Sequence, residues 1–312
     1  MTNSRILISE VGPRDGLQSI DAIMSTEAKK QWIAAEAAAG CREIEVGSFV
    51  PVSVLPQLAD TAELVAYAKT IPGLAVAVLV PNLKGAEHAV AAGAHKISIP
   101  FSVSETHSLN NVRRSHEQMF EEVTNIAALV ANMEPDSRPD FEVGLSTAFG
   151  CTLEGPVAED LVVKSAVRLM ECGCDEVGLS DTTGYANPSQ VKRMIRAVRA
   201  EVGDDKLTGI HLHNTRGLGL ANALAAINEG ITTVDSSLGG LGGCPYAPGA
   251  SGNIVTEDLV FMLESMGLAT GIDLEALLQV RDILTDALPD EALYGFTPDA
   301  GLPLGFAQAT SR

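Results

Sequence analysis

Short runs of β-branched and other apolar residues alternate along this chain with longer stretches rich in alanine, in which apolar positions recur at helical spacing. A short apolar run is typical of a buried strand, and the longer pattern is typical of an amphipathic helix. We predict eight strands, at RILISEV (5–11), REIEV (42–46), LAVAVLV (74–80), HKISIP (95–100), FEVGLS (141–146), CDEVGLS (174–180), TGIHLH (208–213) and ITTVDSS (231–237). The predicted helices between them cover residues 25–40, 56–71, 83–93, 109–132, 157–172, 188–202 and 219–230.

Eight strand–helix units follow one another within about 240 residues, and no linker rich in proline and serine divides them. This order predicts an α/β fold of the (β/α)₈ TIM-barrel type, with one catalytic domain over residues 1–312 and additional closing helices from about residue 257. The alternative is a doubly wound open sheet. That fold normally carries a glycine-rich dinucleotide turn after an early strand, and this sequence has none there.

Composition and charge narrow the function classes. Apolar residues make up 46% of the chain, enough for a large core, and the formal net charge of −19 argues against non-specific binding of nucleic acid or anionic membranes. The longest apolar runs are too short to cross a bilayer, and no secretory signal is visible. Five cysteines, an odd number, suggest reduced thiols. We therefore expect a cytoplasmic protein.

Polar residues gather at the carboxyl ends of the predicted strands, where barrel enzymes build their active sites. The candidate residues are Arg14, Asp15 and Gln18 after the first strand, Glu45 and Ser48 at the second, Asp181 after the sixth, His211 and His213 on the seventh, and Cys244 and Asn253 beyond the eighth.

The motif HLH is the sharpest local signal. His211 and His213 are two residues apart on a strand, so their imidazoles share a face. With Asp15 or an asparagine oxygen they would suit Mg²⁺, Mn²⁺ or Co²⁺. The alternative is a pair of core histidines. Cys172 and Cys174 are also two apart, but they precede a strand at the opposite end of the barrel, and we expect no metal there.

Arg14 stands beside Asp15 in the turn PRDG. A plain surface ion pair would explain the two residues, but their place after a strand favours contact with a substrate. Glu45, on the next strand, would then hold the guanidinium of Arg14 in position.

Four longer motifs carry a resemblance to a known family. The segments EVGPRDGLQ, IEVGSFV, SDTTG and VDSSLGGLGGCPYAPGASGNIVTEDLVFMLESMG resemble the hydroxymethylglutaryl-CoA lyases, from about residue 5 to 285. The resemblance implies a TIM barrel and a divalent cation, Mg²⁺ or Mn²⁺, held by Asp15, His211, His213 and Asn253. It implies cleavage of 3-hydroxy-3-methylglutaryl-CoA to acetyl-CoA and acetoacetate by a retro-Claisen reaction.

The resemblance also implies roles for the remaining candidates. Arg14 would contact the thioester carbonyl, and Glu45 and Asp181 would organise the pocket. Cys244 would protonate the product enolate from a flexible glycine-rich lid, residues 239–253. Two groups could accept the proton of the substrate hydroxyl, namely Asp15 or a water molecule that Asp15 positions.

One segment departs from the family pattern. After the second histidine the lyases usually carry Asp-Thr-Tyr-Gly, whereas this chain has Asn214-Thr215-Arg216-Gly217. We predict that Arg216, together with Arg14, Gln18 and Ser48, binds substrate, with its cation near a distal carboxylate or a CoA phosphate.

Other substrates and other functions are alternatives for these residues. The acyl group could instead be that of citramalyl-CoA or another branched 3-hydroxyacyl-CoA. A synthase of the isopropylmalate or homocitrate type and a non-catalytic barrel protein are two further alternatives, and both fit the sequence motifs less well. Lys84, Arg113 and Arg114 are either contacts for CoA or solvated surface residues. The expected partners are an acyl-CoA substrate and further copies of the same chain.

Overall fold

Eight parallel strands close into a barrel in the computed structural model, which describes residues 5–242 and 252–309. Each strand pairs with the next along the chain, and β1 pairs with β8 to close the sheet, with Leu7 opposite Thr233. This architecture confirms the predicted TIM barrel. The strands are β1 (Leu7–Glu10), β2 (Glu43–Ser48), β3 (Ala75–Leu79), β4 (Lys96–Ser102), β5 (Asp140–Ser146), β6 (Glu176–Asp181), β7 (Gly209–Leu212) and β8 (Thr233–Ser236).

The helices surround this sheet. On the helix over residues 188–202, Val191, Met194, Ile195 and Val198 are all buried, the three- and four-residue spacing of an apolar helix face. The helices in the described part of the chain are α1 (Thr26–Ala38), α2 (Thr61–Ala68), α3 (Leu83–Ala92), α4 (Glu105–Asn111), α5 (His116–Ala131), α6 (Glu159–Glu171), α7 (Pro188–Val202), α8 (Gly219–Asn228), α9 (Thr256–Ser265), α10 (Leu274–Ala287) and α11 (Phe296–Ala300).

Along a strand, side chains alternately pack in the apolar core beneath the helices and face the barrel interior. On β5, Phe141, Val143 and Leu145 belong to the buried apolar core, whereas Glu142 and Ser146 line a central cavity. The period of two residues in a strand produces this division. The barrel therefore presents polar side chains to its interior while the apolar ones pack beneath the helices.

The predicted helix over residues 109–132 is wrong in one respect, because the structure divides this region into α4 and α5. Ser115 caps α5: its side chain accepts from the backbone N–H of Gln118, and the Gln118 side chain accepts from the backbone of Ser115. This capping box begins a new helix and is readable in the sequence. Between the helices Arg113 has a φ of 57°, in the left-handed region.

Additional helices α9 to α11 follow the barrel, as predicted from about residue 257. Cys41, Cys151, Cys172 and Cys174 are free thiols. Cys174 donates to the carbonyl of Leu169, and it belongs to no metal-binding group among the described residues. Across those same residues, no helix combines the length and the apolar character needed to traverse a bilayer.

Candidate active site

Asp15, His211 and His213 converge at the carboxyl-terminal mouth of the barrel. A π-helical turn over Gly12–Gly16 directly after β1 presents Asp15, and His211 lies on β7. The Nε2 atoms of the two histidines are 3.1 Å apart, and Oδ2 of Asp15 lies 4.0 Å from Nε2 of His211 and 3.9 Å from that of His213. These side chains form a group that could hold a metal ion, with all three ligand atoms within 4.8 Å of one another.

Asn253 completes the cluster. A backbone bridge pairs it with His213, and its Nδ2 donates to Oδ2 of Asp15 at 2.7 Å. Its Oδ1 is buried and has no hydrogen-bond partner among the described residues. A buried oxygen without a donor is costly unless a cation or water satisfies it. The donor set of two imidazoles, a carboxylate and an amide oxygen therefore fits a divalent cation.

Asp235 supports the cluster from behind. It lies opposite His211 in the β7–β8 register, and its Oδ2 is 3.1 Å from Nδ1 of His211. A carboxylate on the far nitrogen fixes the orientation of a metal-binding imidazole and leaves Nε2 free to coordinate. Sequence reasoning missed Asp235. Its place opposite His211 comes from the β7–β8 register, which a local sequence pattern does not report.

Burial and neighbouring charges shift the pKa values of the three ligand side chains in different directions. Burial alone would raise the pKa of Asp15, but the Arg14 guanidinium and the two imidazoles hold it well below its usual range. Burial, with the neighbouring His211, lowers the pKa of His213 to about 4. Near neutral pH Asp15 is therefore an ionised carboxylate and His213 a neutral imidazole, the protonation states that ligate metals. The pKa of His211 is raised despite its burial, by the hydrogen bond to Asp235 and the charge of Asp15, so a cation bound there would displace its proton.

Arg14 is held on two sides. Its Nε donates to Glu45, and its Nη1 donates to Oδ1 of Asp15 at 2.5 Å. Glu45 also accepts a hydrogen bond from Ser98 at 2.9 Å, and burial raises its pKa despite the nearby guanidinium. Gln18 donates to Asp15 at 2.7 Å. Glu45 therefore contacts Arg14 directly, and its role in positioning Arg14 stays a prediction.

A cavity of about 810 Å³ opens beside these residues. It is large enough for the acyl end of a small-molecule thioester. Of the predicted site residues, the cavity is lined by Arg14, Asp15, Gln18, Glu45, His211 and His213.

Ser48 and Asp181 lie outside this lining. Ser48 is 2% exposed, and its hydroxyl accepts from the backbone N–H of Val50, so its position argues against the predicted substrate contact. Asp181 accepts from the backbone N–H groups of Tyr185 and Ala186 at 2.8 and 3.0 Å, and burial raises its pKa to about 6. Asp181 therefore holds the turn after β6 through these two backbone contacts.

Arg216 makes its contacts outside the cavity lining. It is exposed, its Nη1 donates to the carbonyls of Thr183 and Gly184 at 3.0 and 2.9 Å, and its guanidinium lies over the ring of Tyr185. It is not among the residues that line the cavity. These contacts use the guanidinium to brace the turn after β6. The placement argues against a contact with the acyl group.

We expect Arg216→Gln to change kcat/KM by less than about threefold, since an exposed contact of this kind contributes little to a distant reaction. The same small change should apply to 3-hydroxy-3-methylglutaryl-CoA and to an analogue without the distal carboxylate. Steady-state assays of the two thioesters give the comparison. A large loss confined to the thioester that carries the carboxylate would restore the substrate contact.

Cys244 lies outside the described residues, as do residues 243–251 that surround it, so its predicted role stays a prediction. The described segment ends at Gly242, whose φ is 110°. A Cβ there would lie 3.0 Å from Nδ2 of Asn253 and 3.0 Å from Cα of Gly16. Glycine at this position is therefore required both by the backbone conformation and by the close approach to the metal-binding cluster.

Glu10 ties three segments around the site together. It is fully buried and accepts from the backbone N–H of Gly12 at 2.8 Å, from that of Leu238 at 3.0 Å, and from the hydroxyl of Thr256 at 2.7 Å. Burial raises its pKa to about 7, and that of the neighbouring Glu36 well above its usual value. Sequence reasoning missed Glu10, because no local pattern distinguishes it from other polar residues on strands.

The pKa of Glu10 is higher in the folded protein than in the unfolded chain, so the folded protein binds this proton more tightly. As pH rises from about 4.5 to 7, the folded protein loses this advantage and the ionisation of Glu10 destabilises the fold. Glutamine cannot ionise. The Tm of Glu10→Gln relative to wild type should therefore increase across this range, by an amount equivalent to about 1–2 kcal/mol. Thermal unfolding at several pH values measures the difference, with the exposed Glu87→Gln as a control. A difference independent of pH would contradict this account.

The chain is similar to a family model, to curated proteins and to a solved structure. The HMGL-like family model matches residues 5–284. The cytoplasmic 3-hydroxy-3-methylglutaryl-CoA lyase of Rattus norvegicus is 41% identical over 283 residues, covering 91% of this chain and 81% of the relative. The mitochondrial hydroxymethylglutaryl-CoA lyase of Macaca fascicularis is 43% identical over 286 residues, covering 91% and 86%. A solved HMG-CoA lyase from Acinetobacter baumannii, in complex with coenzyme A and 3-methylmalate, superposes with a TM-score of 0.90 at 38% identity, covering 98% of each chain.

Proposed function

This chain belongs to the hydroxymethylglutaryl-CoA lyase family, and from that membership we propose that it cleaves 3-hydroxy-3-methylglutaryl-CoA to acetyl-CoA and acetoacetate. The observation that carries the proposal is the convergence of Asp15, His211 and His213 beside Arg14 at the mouth of the barrel. The named relatives favour this substrate over citramalyl-CoA, and they favour cleavage over the condensation that a synthase performs.

The proposed ligands of the divalent cation are Asp15, His211, His213 and Asn253. Mg²⁺ or Mn²⁺ bound there would supply a Lewis acid that lowers the pKa of the C3 hydroxyl of the substrate. Asp235 keeps the imidazole of His211 oriented for this duty through the hydrogen bond at Nδ1.

Arg14 supplies the second electrostatic contribution. Its guanidinium binds the thioester oxygen, where negative charge develops as the bond between C2 and C3 breaks and its electron pair forms the enolate. Glu45 and Asp15 fix the guanidinium, so little reorganisation is needed when that charge appears.

Two proton transfers balance the reaction. The C3 hydroxyl loses its proton as it becomes the ketone of acetoacetate, and the enolate carbon of the other product gains one. We propose that Asp15 accepts the first proton, either directly or through a water molecule that it positions and that relays the proton to it. We propose that Cys244 donates the second proton.

The partners and location proposed from the sequence remain proposals. An acyl-CoA substrate is supported by the solved relative that holds coenzyme A. We propose that the chain assembles with further copies of itself and that it works in the cytoplasm. The free thiols of the described cysteines are compatible with a reducing compartment.

Incubation of the purified protein with Mg²⁺ and 3-hydroxy-3-methylglutaryl-CoA tests the proposed reaction. We expect acetyl-CoA and acetoacetate in equal amounts, quantified by chromatography. Citramalyl-CoA, assayed in parallel, should be cleaved with a much lower kcat/KM. Preferential cleavage of citramalyl-CoA would replace the proposed substrate, and no cleavage of either would overturn the proposed reaction.

A further inference from the structure

We propose that Arg113 is the cation that binds the phosphate groups of the CoA moiety at the rim of the cavity. This inference rests on the proposed function for the identity of the ligand as an acyl-CoA. It concerns a residue outside the metal cluster and outside the set that contacts the acyl group.

Arg113 differs from the other arginines and lysines that line the cavity. Arg14 is paired with Asp15 and Glu45, and Lys96 lies 2.6 Å from a carboxylate oxygen of Glu142. Arg114 pairs with Glu122 at 2.6 Å. Arg113 also lines the cavity, but it has no ion pair with any residue in the described ranges. Of the arginines and lysines in that lining, it alone retains a cation for a ligand, as far as the described chain shows.

Hydrogen bonds on both sides hold the backbone around Arg113. The N–H of Val112 donates to the carbonyl of Ser108 at 2.9 Å, and the Ser108 hydroxyl donates to the carbonyl of Arg114 at 2.8 Å. The capping box of Ser115 then begins α5 on the other side. Two helix ends therefore hold Arg113 at one place on the cavity wall.

That place is conformationally unfavourable for arginine. A φ of 57° lies in the left-handed region, which glycine and asparagine adopt at lower cost than other residues. Strained backbone that the surrounding structure enforces occurs preferentially at ligand-binding positions. An arginine at this position thus points to a binding role, since another residue would fit the turn better.

The overall charge of the protein explains why a CoA ester needs such a contact. The chain carries a formal net charge of −19, and CoA brings a diphosphate and a 3′-phosphate, so the long-range interaction between them is repulsive. The thioester must reach Arg14 in the interior, whereas Arg113 is exposed at the rim. A guanidinium at the rim matches phosphate oxygens in geometry and in charge.

Arg113→Asn separates the binding role from a structural one. We expect the KM for the acyl-CoA and the Kd of free CoA, measured by calorimetry, to rise about tenfold, the range of a charge-assisted contact. Asparagine tolerates the left-handed conformation, so the Tm should stay equal or rise by about 1–3 °C. Exposed Lys69, which does not line the cavity, provides the control Lys69→Gln, for which every value should stay within about twofold of wild type.

The same acyl group carried on pantetheine, which has no diphosphate and no nucleotide, identifies the contact. Its KM should be unchanged in Arg113→Asn. An equal rise for both thioesters would place Arg113 on the acyl group, and no rise for either would make it a solvated residue. A lower Tm with a lower kcat would make its role structural. Each of these three results overturns the proposal. The Kd of CoA tests it even if the wild-type protein cleaves no thioester, a result that would instead overturn the proposed function.

Discussion

His213→Ala should lower the rate of thioester cleavage by at least about a hundredfold at saturating Mg²⁺. The reason is the geometry of the cluster. Nε2 of His213 lies 3.1 Å from that of His211 and 3.9 Å from Oδ2 of Asp15, so its removal deletes one of the converging ligand atoms. Single-turnover assays of product formation measure the effect on chemistry.

Two controls separate loss of the ligand from loss of the fold. His88→Ala removes an exposed histidine that packs on Phe49, far from the cluster in sequence, and should retain the wild-type rate. The circular dichroism of His213→Ala should match that of wild type, because the alanine leaves the β7 strand itself intact. A fully folded His213→Ala with the wild-type rate would show that His213 is a core histidine.

Cys244→Ser should lower turnover by about a hundredfold to ten-thousandfold, the range for removal of an acid–base group. Serine is a much weaker acid than cysteine but nearly the same size, so the Kd of CoA should change little. Burst and steady-state kinetics with the same thioester separate the two quantities.

Thiol chemistry provides an independent measurement on the same residue. Iodoacetamide should inactivate the wild-type protein, substrate should slow that inactivation, and Cys244→Ser should be insensitive. Cys172 is a partly buried thiol away from the cavity, so Cys172→Ser should be inactivated like wild type. Wild-type turnover by Cys244→Ser would leave the thiol without a chemical role.

The barrel was predictable because its signal is repeated. Each strand–helix unit carries the same pattern, and an error at one boundary leaves the others in place. The break at Arg113 was missed because helical spacing of apolar residues continues on both sides, and only the Ser115–Gln118 capping box marks the interruption. The alternation of apolar and polar positions along β5 can also be read from the sequence.

Site residues could be predicted where the position of a residue at a strand end is enough to determine where its side chain lies. His211 and Asp15 follow from the rule that strand ends meet at one face of the barrel. The contacts of Arg216 with the carbonyls of Thr183 and Gly184 depend on the path of a neighbouring turn, which no periodicity reports. Asp235 needed the β7–β8 register, which sets it opposite His211. Long-range pairing of this kind is invisible in a local pattern.

We propose that one divalent cation, held by Asp15, His211, His213 and Asn253, is needed for cleavage of the carbon–carbon bond. Titration of the metal-free protein with Mn²⁺, followed by calorimetry and by acetyl-CoA formation on the same samples, tests this need for the cation. We expect activity to rise from near zero and to saturate with one Mn²⁺ per chain, and we expect His213→Ala to show neither the binding nor the activity. Full cleavage by the metal-free protein, or undiminished one-to-one binding by His213→Ala, would contradict the claim.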